Sequence, residues 1–482
     1  MLIANVELDG SQVSLRINGG RVGAIGQRLK PEPSEAVFNA RGGAVVPGLQ
    51  DHHLHLFGFA AALASLRVGP AETPGAGPLR ARLARAAGTG WLRCVGYHES
   101  VAGDIDRDWL DHNGPVRPIR IQHRSGRLWI FNSCAIEFLK QSDPSLGPLE
   151  RINGRISGRL YDGDVWLRTH LRSAPTDLAL ASAHLAARGV TGVTDASYTN
   201  DVAAYAALRR AQENGALAQA LCVMGDLSLS EVSAGRGAGI GAYKVHLHDG
   251  AYPDVDACIA AIAAAHEAGR GAAFHCVTEA DLAFALACVE AAGPNGADRI
   301  EHASLASPEQ VRWCADLGVR VVTQPHFIAE RGDAYSRDTP PEALGWLYRA
   351  RAFLDAGVRL AFASDAPYGA GDPWASMQAA VSRTAPNDVL LGPDERLTPE
   401  QALQAYLSPP DDPGGVVRRV ELGAAADLCV LDRSWRAARE NLANVSVVLT
   451  LKDGLPIYGS IASMSPQESA VGAETRRPDS AI

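Results

Sequence analysis

Several features that would point to a membrane, to secretion or to nucleic acid are missing from this sequence. No apolar stretch in its 482 residues approaches the roughly 20 residues that span a bilayer. Residues 1–7 lack the charged-then-apolar pattern of a secretory signal. The formal net charge is −9, and no run of lysine and arginine suggests a basic groove. We therefore expect neither a membrane nor a nucleic-acid partner.

The eight cysteines do not form a motif, because they are scattered singly without a Cys-x-x-Cys pair. Several lie in apolar surroundings, so we expect reduced core residues and a cytoplasmic protein. A hydrophobic fraction of 46% is typical of a globular chain. The length suggests two or more domains, unless one of them is a barrel of about 250 residues or more.

Both ends of the chain carry short strand-like segments separated by turn residues. Residues 12–17 alternate and run into Asn-Gly-Gly, which is typical of a hairpin. Residues 426–431 and 445–451 repeat the signal near the other end. We expect the two ends to form one small β-sandwich domain, built from residues 1–46 and 418–462.

Strands and helices alternate over residues 47–417, which predicts a (β/α)8 TIM barrel. The stretch 56–189 is too long for one crossover, so it should contain a lobe inserted after strand 1. The last residues, 463–482, lack periodicity, and we expect disorder there. Helix starts are recognisable from a capping residue or a following proline at Thr278, Ser307 and Thr398. The predicted barrel strands are 43–48, 190–195, 217–224, 241–247, 271–275, 298–302, 319–324 and 358–364.

A short apolar run turns at Pro47-Gly48 and leads to two histidines, His53 and His55. On an extended backbone this spacing puts both imidazoles on one side of the strand. Neutral imidazole is a good ligand for zinc and similar ions. Taken alone, a His-x-His pair is more often two ordinary surface histidines. Further ligand-type residues at the ends of other predicted strands favour a metal site instead.

Because the carboxyl ends of barrel strands meet at one mouth, the residues found there should converge. Four histidines and an aspartate suffice for one or two divalent metal ions. A lysine facing an apolar interior is costly as an ammonium, and its neutral amine could add carbon dioxide to form a metal-bridging carbamate. The alternative for this lysine is an ordinary ion pair with Asp365 or Glu301. The ligand-type residues at strand ends are His53, His55, Lys244, His275, His302 and Asp365.

Together these residues resemble the amidohydrolase superfamily, over residues 1 to about 460. The likeness rests on Pro-Gly-x-x-Asp-x-His-x-His at residues 47–55, on the lysine and later histidines, and on Ser-Asp-x-Pro at 364–367. Asn-Ser at 132–133, Gln-Pro-His at 324–326 and the long insertion are similar to the N-substituted formamide deformylase-like branch. Arg127 and His248 depart from that branch, where a histidine and an acidic residue are usual, so its substrate is not carried over.

The resemblance implies a hydrolytic metal centre with one or two divalent ions, zinc foremost. A metal lowers the pKa of a bound water toward neutrality, and Asp365 would accept its proton and pass it to the leaving nitrogen. The implied ligands are His53, His55 and Asp365 for one ion and His275 and His302 for a second, with N-carboxylated Lys244 as the bridge.

Four further residues are predicted to bind the substrate. His246 and His248 share the face of Lys244 by strand alternation, although a polar loop after the strand would explain them equally well. His326 ends the seventh strand. Arg127 lies in the inserted lobe, where its guanidinium could hold a substrate carboxylate through paired hydrogen bonds. The alternative for Arg127 is an ion pair within the lobe.

The predicted function is metal-dependent hydrolysis of a non-peptide C–N bond in a small molecule, such as an amide, formamide or cyclic amide. The alternatives are a deaminase, or a lactone or phosphoester hydrolase, because one metal centre serves all of these reactions. A non-catalytic metal-binding regulatory protein is a further class, but it would not need the lysine and the aspartate together. Homo-oligomer formation is left open.

Overall fold

The structure is a computed structural model that describes residues 1–171, 177–235, 237–247 and 252–461. The chain divides into two compact units. The first, here called the barrel unit, comprises Met1–His53, Ser182–Ser364 and the chain from Asp372 onward. The second, called the lobe unit, comprises Leu54–Ala181 and Asp365–Gly371. No helix in the described part of the chain is long and apolar enough to cross a membrane.

The barrel unit contains an eight-stranded sheet in which spatial neighbours follow chain order. The first and last strands both bond to residues 405–406, since Gln50 N donates to Tyr406 O at 2.8 Å and Phe362 N to Ala405 O at 2.9 Å. This arrangement confirms the predicted (β/α)8 barrel. Its strands are Leu49–Leu54, Val190–Asp195, Ala220–Gly225, Ala238–His246, Ala272–Cys276, Arg299–His302, Arg320–Thr323 and Leu360–Phe362.

The three helix starts read from the sequence are confirmed as capping boxes at Thr278, Ser307 and Thr398. Each side chain accepts a backbone N–H that the first helical turn would otherwise leave without a partner. The helices of this unit are Val202–Glu213, Val255–Glu267, Glu279–Ala292, Pro308–Leu317, His326–Asp338, Ala350–Asp355, Pro373–Ser382, Pro399–Gln404 and Trp435–Ala438. Short 3-10 helices occupy Leu227–Glu231, Pro341–Trp346, Pro393–Glu395 and Leu442–Asn444. The sequence boundary between the two units falls within helix Ala179–Ala186.

Two four-stranded sheets from the chain ends complete the barrel unit and confirm the predicted β-sandwich. Ile3 and Leu15 of one sheet share a buried core with Val430 and Leu449 of the other. The domain boundaries predicted at residues 46 and 418 stay a prediction. One sheet contains Leu2–Leu8, Ser11–Asn18, Arg21–Gly26 and Val37–Asn39, and the other contains Val45–Pro47, Leu428–Leu431, Val447–Lys452 and Leu455–Tyr458.

The strand predicted at 43–48 is wrong as the first barrel strand. Val45–Pro47 pairs with Leu428–Leu431 in the terminal sheet, and the barrel strand begins at Leu49. Gly48 lies between the two strands. The chain passes so close to Thr191 here that a Cβ added to Gly48 would lie 2.2 Å from the Thr191 Cγ2. The switch between sheets at this point therefore depends on a residue without a side chain.

The lobe unit is built around a five-stranded sheet with apolar cores that include Ile119 and Ile121 in one cluster and Phe131 and Leu160 in another. The segment 365–371 belongs to this unit, which the sequence did not indicate. The predicted tail at 463–482 lies outside the described residues. In spatial order the strands are Arg159–Tyr161, Leu128–Phe131, Ile119–His123, Leu92–Tyr97 and Leu66–Arg67, with a separate hairpin of Arg151–Ile152 and Arg155–Ile156. The helices are Leu56–Leu63, Ala76–Ala84, Glu99–Ala102, Arg107–Asn113, Ser133–Lys140 and Asp164–His170.

Candidate metal centre

The barrel unit brings four of the predicted histidines together at the ends of their strands. The ring centroids of His53 and His302 are 4.9 Å apart, and those of His275 and His302 are 4.5 Å apart. The His246 ring lies 4.5 Å from that of His275. Because His53 and His302 are almost fully buried, these imidazoles form a largely enclosed cluster.

His53 is oriented by a buried carboxylate. Its Nδ1 lies 2.5 Å from Glu301 Oε2, and Arg299 donates to the same carboxylate through Nε at 2.5 Å and Nη2 at 3.0 Å. Although burial acts to raise it, the charges of Arg299 and Lys244 and the contact with His53 hold the pKa of Glu301 well below its ordinary value. An ionised Glu301 accepts a hydrogen bond from the His53 Nδ1–H. The other ring nitrogen, Nε2, is then the one suited to a metal ion.

The other two histidines are also suited to metal binding. His302 Nδ1 lies 2.9 Å from Gln324 Oε1, so the ring donates its Nδ1–H to the amide oxygen. Burial, together with the charges of His302 and Lys244, holds the pKa of His275 well below its ordinary value. Histidine binds divalent ions as a neutral imidazole, which the lowered pKa favours at His275, and a partner at one ring nitrogen, as at His302, leaves the other free for the metal.

Lys244 is buried beside this cluster, with 5% of its surface exposed. It stands in register with Ala273 on the neighbouring strand, and two residues later His246 stands in register with His275. Its positive charge contributes to the lowered pKa values of both His275 and Glu301. The buried lysine predicted from the sequence is therefore next to the predicted ligands.

In the lobe unit, His55 and Asp365 form the second pairing of predicted ligands. His55 Nε2 lies 3.3 Å from Asp365 Oδ1, and His55 N donates to Ala366 O at 2.8 Å. The ring of Tyr368 packs edge-on against His55, with centroids 5.7 Å apart. The Ser-Asp-x-Pro segment thus places the Asp365 carboxylate next to His55, the second histidine of the His-x-His pair.

Two ligand-type residues have left-handed backbone conformations, with φ of 68° at His302 and 49° at Asp365. For residues other than glycine such a conformation costs roughly 1–3 kcal/mol, and it persists only where the surroundings impose it. Strain of this kind concentrates at functional sites, which supports a functional role for both residues.

Of the remaining predicted substrate-binding residues, the structure describes His326 and Arg127. His326 is buried at the start of its helix, with Nδ1 3.3 Å from Ser376 Oγ. Arg127 is exposed and donates to Asp162 through Nε at 2.8 Å and Nη2 at 2.7 Å, which is the ion pair within the lobe considered as its alternative. His248 lies outside the described residues.

Three residues that support the cluster were not predicted from the sequence as site residues. The sequence suggested Glu301 only as an alternative partner of Lys244. Its Arg-x-Glu spacing with Arg299 within a buried strand is the sequence feature that indicates a buried ion pair. Asp51 Oδ1 accepts from Ser364 N at 3.0 Å and from His53 N at 3.3 Å, so it ties the last barrel strand to the first. Tyr198 stacks on His246 with centroids 4.8 Å apart and 12° between the planes.

A (β/α)8 barrel with histidines and a buried lysine at its strand ends defines the class of barrel metal-dependent hydrolases. The amidohydrolase family model matches residues 36–458, and the chain belongs to that family. This confirms the resemblance read from the motifs and makes the protein a hydrolase acting on carbon–nitrogen bonds.

Known relatives agree with this assignment. The N-substituted formamide deformylase of Arthrobacter pascens is 28% identical in sequence, covering 92% of this chain and 94% of that protein. An uncharacterized metal-dependent hydrolase from Pyrococcus horikoshii OT3 has a TM-score of 0.74 at 22% identity, covering 91% of this chain and 98% of its own. Atrazine chlorohydrolase TrzN from Arthrobacter aurescens TC1, complexed with zinc, has a TM-score of 0.54 at 15% identity and 95% coverage of both chains. The two solved structures are similar in fold.

Proposed function

We propose that this protein is a metal-dependent hydrolase that cleaves a non-peptide C–N bond of a small amide, formamide or cyclic amide. The observation that carries the proposal is the buried His53–Glu301–Arg299 arrangement within the histidine cluster. A metal-binding histidine usually donates its other ring N–H to a supporting group such as a carboxylate, and Glu301 provides that support for His53. The 28% identity with a formamide deformylase over most of both chains supports the type of bond.

The residues fit a divalent metal by the chemistry of their donors. His53, His55 and Asp365 are a set of residues that could hold one ion. His275 and His302 would hold a second ion, and an N-carboxylated Lys244 would supply a further carboxylate ligand. Imidazole nitrogen and carboxylate oxygen together suit zinc, and a structural neighbour was solved with zinc.

Lys244 would gain its carboxylate by reaction with carbon dioxide. The neutral amine attacks the carbon, a C–N bond forms, and one proton is released, leaving a carbamate with one negative charge. Burial of Lys244 favours the amine over the ammonium, because a charged group is costly to remove from water. The change replaces a neutral amine with an anionic ligand, which attracts a cation.

When bound, a divalent metal supplies a Lewis acid that lowers the pKa of a water and polarises the substrate carbonyl. Asp365 would act as the proton shuttle, accepting a proton from the attacking water at its carboxylate and passing it to the leaving nitrogen. Its Oδ1 lies 3.3 Å from His55 Nε2, which places the carboxylate beside another proposed ligand of the same ion. His246 and His326 are proposed to contact the polar groups of the substrate, and Tyr198 would hold the His246 ring by stacking.

The test compares metal-free and zinc-reconstituted protein on N-substituted formamides, other small amides, a cyclic amide and a lactone. We expect hydrolysis of at least one C–N substrate that depends on metal and returns when zinc is added. His275→Ala should bind less zinc than wild type and lose activity, whereas His112→Ala, at a histidine in the lobe unit, should change neither. Full activity without metal, or hydrolysis of the lactone alone, would contradict the proposal.

A further inference from the structure

The lobe unit holds another convergence of ligand-type side chains, made of His98, Glu99 and His123. Strands Leu92–Tyr97 and Ile119–His123 are parallel neighbours, with Tyr97 in register with His123. A histidine therefore stands at the carboxyl end of each strand, and the two rings stack with centroids 5.8 Å apart and 28° between the planes.

The same local motif, His-x-Ser, orients both rings. His98 Nδ1 accepts the backbone N–H of Ser100 at 3.2 Å and lies 2.8 Å from its Oγ. His123 Nδ1 accepts the backbone N–H of Ser125 at 3.1 Å and lies 2.8 Å from its Oγ. Both histidines are thus held at Nδ1, and both present Nε2 on the other side of the ring.

The two Nε2 atoms converge on one carboxylate oxygen. Glu99 Oε2 lies 3.5 Å from His98 Nε2 and 3.3 Å from His123 Nε2. One ligand atom from each residue lies within 4.8 Å of the others, a spacing compatible with a shared ion. The Glu99 side chain is 51% exposed, so an ion can reach the cluster from solvent.

We propose that His98, Glu99 and His123 form a metal site for a borderline divalent cation such as zinc, in addition to the candidate metal centre. Two imidazole nitrogens and a carboxylate oxygen match the ligands that such ions prefer. Three protein ligands leave at least one coordination position for water or for a small ligand.

Metal binding at this site requires a shift of protons within the two rings. In the metal-free site, Nδ1 accepts from the serine backbone, so each neutral ring carries its proton on Nε2, and His123 donates it to Glu99 at 3.3 Å. With a metal on Nε2, each ring carries its proton on Nδ1, where the serine Oγ at 2.8 Å can accept it. The number of protons on the rings is unchanged. Each serine hydroxyl serves both states because it can donate or accept, while the serine backbone N–H gives up Nδ1 as its acceptor.

The test measures zinc bound per chain by equilibrium dialysis of the full-length, metal-stripped protein, followed by elemental analysis. Glu99→Gln should bind one zinc fewer than wild type, because an amide is a poor zinc ligand although its oxygen can still accept the His123 Nε2–H. His123→Ala should also bind one zinc fewer. Glu137→Gln, at a carboxylate 71% exposed in the same unit, should bind as many as wild type.

A second measurement separates metal loss from misfolding. Thermal unfolding of metal-free Glu99→Gln should match that of metal-free wild type, and zinc should raise the unfolding temperature of wild type by more than that of the variant. Equal zinc content and equal zinc-induced stabilisation in wild type and Glu99→Gln would overturn the proposal and leave a purely hydrogen-bonded cluster. Because the readout is metal content and stability, the result is independent of the hydrolytic activity.

Discussion

Replacing Glu301 by glutamine tests the electrostatic support of the candidate metal centre. Glu301 is fully buried and is the ion-pair partner of Arg299, which is 4% exposed. Glu301→Gln keeps the size of the side chain but leaves the Arg299 charge without its counter-charge in the barrel interior. Removing one member of a buried pair costs about 3–5 kcal/mol of unfolding free energy. We expect a loss in that range.

The same substitution should weaken metal binding without removing a ligand. Loss of the carboxylate that holds a metal-binding histidine typically lowers metal affinity by roughly 10–100-fold. Since Glu301 holds His53 Nδ1 at 2.5 Å, zinc affinity should fall by that factor, measured by competition with a chromophoric chelator.

Urea unfolding of the metal-free proteins gives the stability difference. Glu309→Gln is the control, because Glu309 is 73% exposed and pairs with Arg312 on the helix surface. Such an exposed pair contributes at most about 1 kcal/mol. If Glu301→Gln costs less than about 1 kcal/mol, the buried charge argument is refuted.

The pH dependence of this difference has a defined sign. The pKa of Glu301 is held well below its ordinary value of 4.5 in the folded protein. Its ionised form therefore stabilises the fold above the unfolded-state pKa, and this contribution is lost as the pH falls toward the folded-state value. The stability gap between wild type and Glu301→Gln should narrow as the pH is lowered from neutral to below 4.5.

Three further predictions test the other roles. Lys244→Ala should lose metal and hydrolysis, with partial recovery in bicarbonate or a short-chain acid, and wild-type metal content with a wild-type rate would show a purely structural lysine. Asp365→Asn should keep the circular dichroism spectrum while kcat falls roughly 10²–10⁴-fold, and a change confined to KM would contradict the shuttle role. Arg127→Ala should reduce kcat/KM for a carboxylate-bearing substrate more than for its neutral analogue, and Asp162→Asn, which releases the guanidinium, should do the opposite. Equal effects on both substrates would assign Arg127 to its ion pair alone.

The barrel and its ligand-type residues could be predicted from the sequence because their signals are local. Short apolar runs marked seven of the eight strands close to their positions, and a capping box such as that of Thr278 depends on neighbours three residues away. The order of histidines, lysine and aspartate along the chain is itself the family motif, so no distance had to be known.

Contacts between distant residues could not be predicted in this way. Arg127 and Asp162 are 35 residues apart in the sequence, and nothing local pairs them. Strand alternation predicts opposite faces for Glu301 and His302, yet both serve the cluster, with His302 in a left-handed backbone conformation.

The sequence by itself determined the fold class and the residue types available to a metal ion, because periodicity and motif order are written in the chain. Only the tertiary structure decided how those residues are supported, since a buried carboxylate between Arg299 and His53 forms when strands distant in sequence close into one barrel. It also showed that Pro47 ends a strand of the terminal sheet before the barrel begins at Leu49, because backbone pairing with residues nearly 400 positions later outweighs the local apolar pattern.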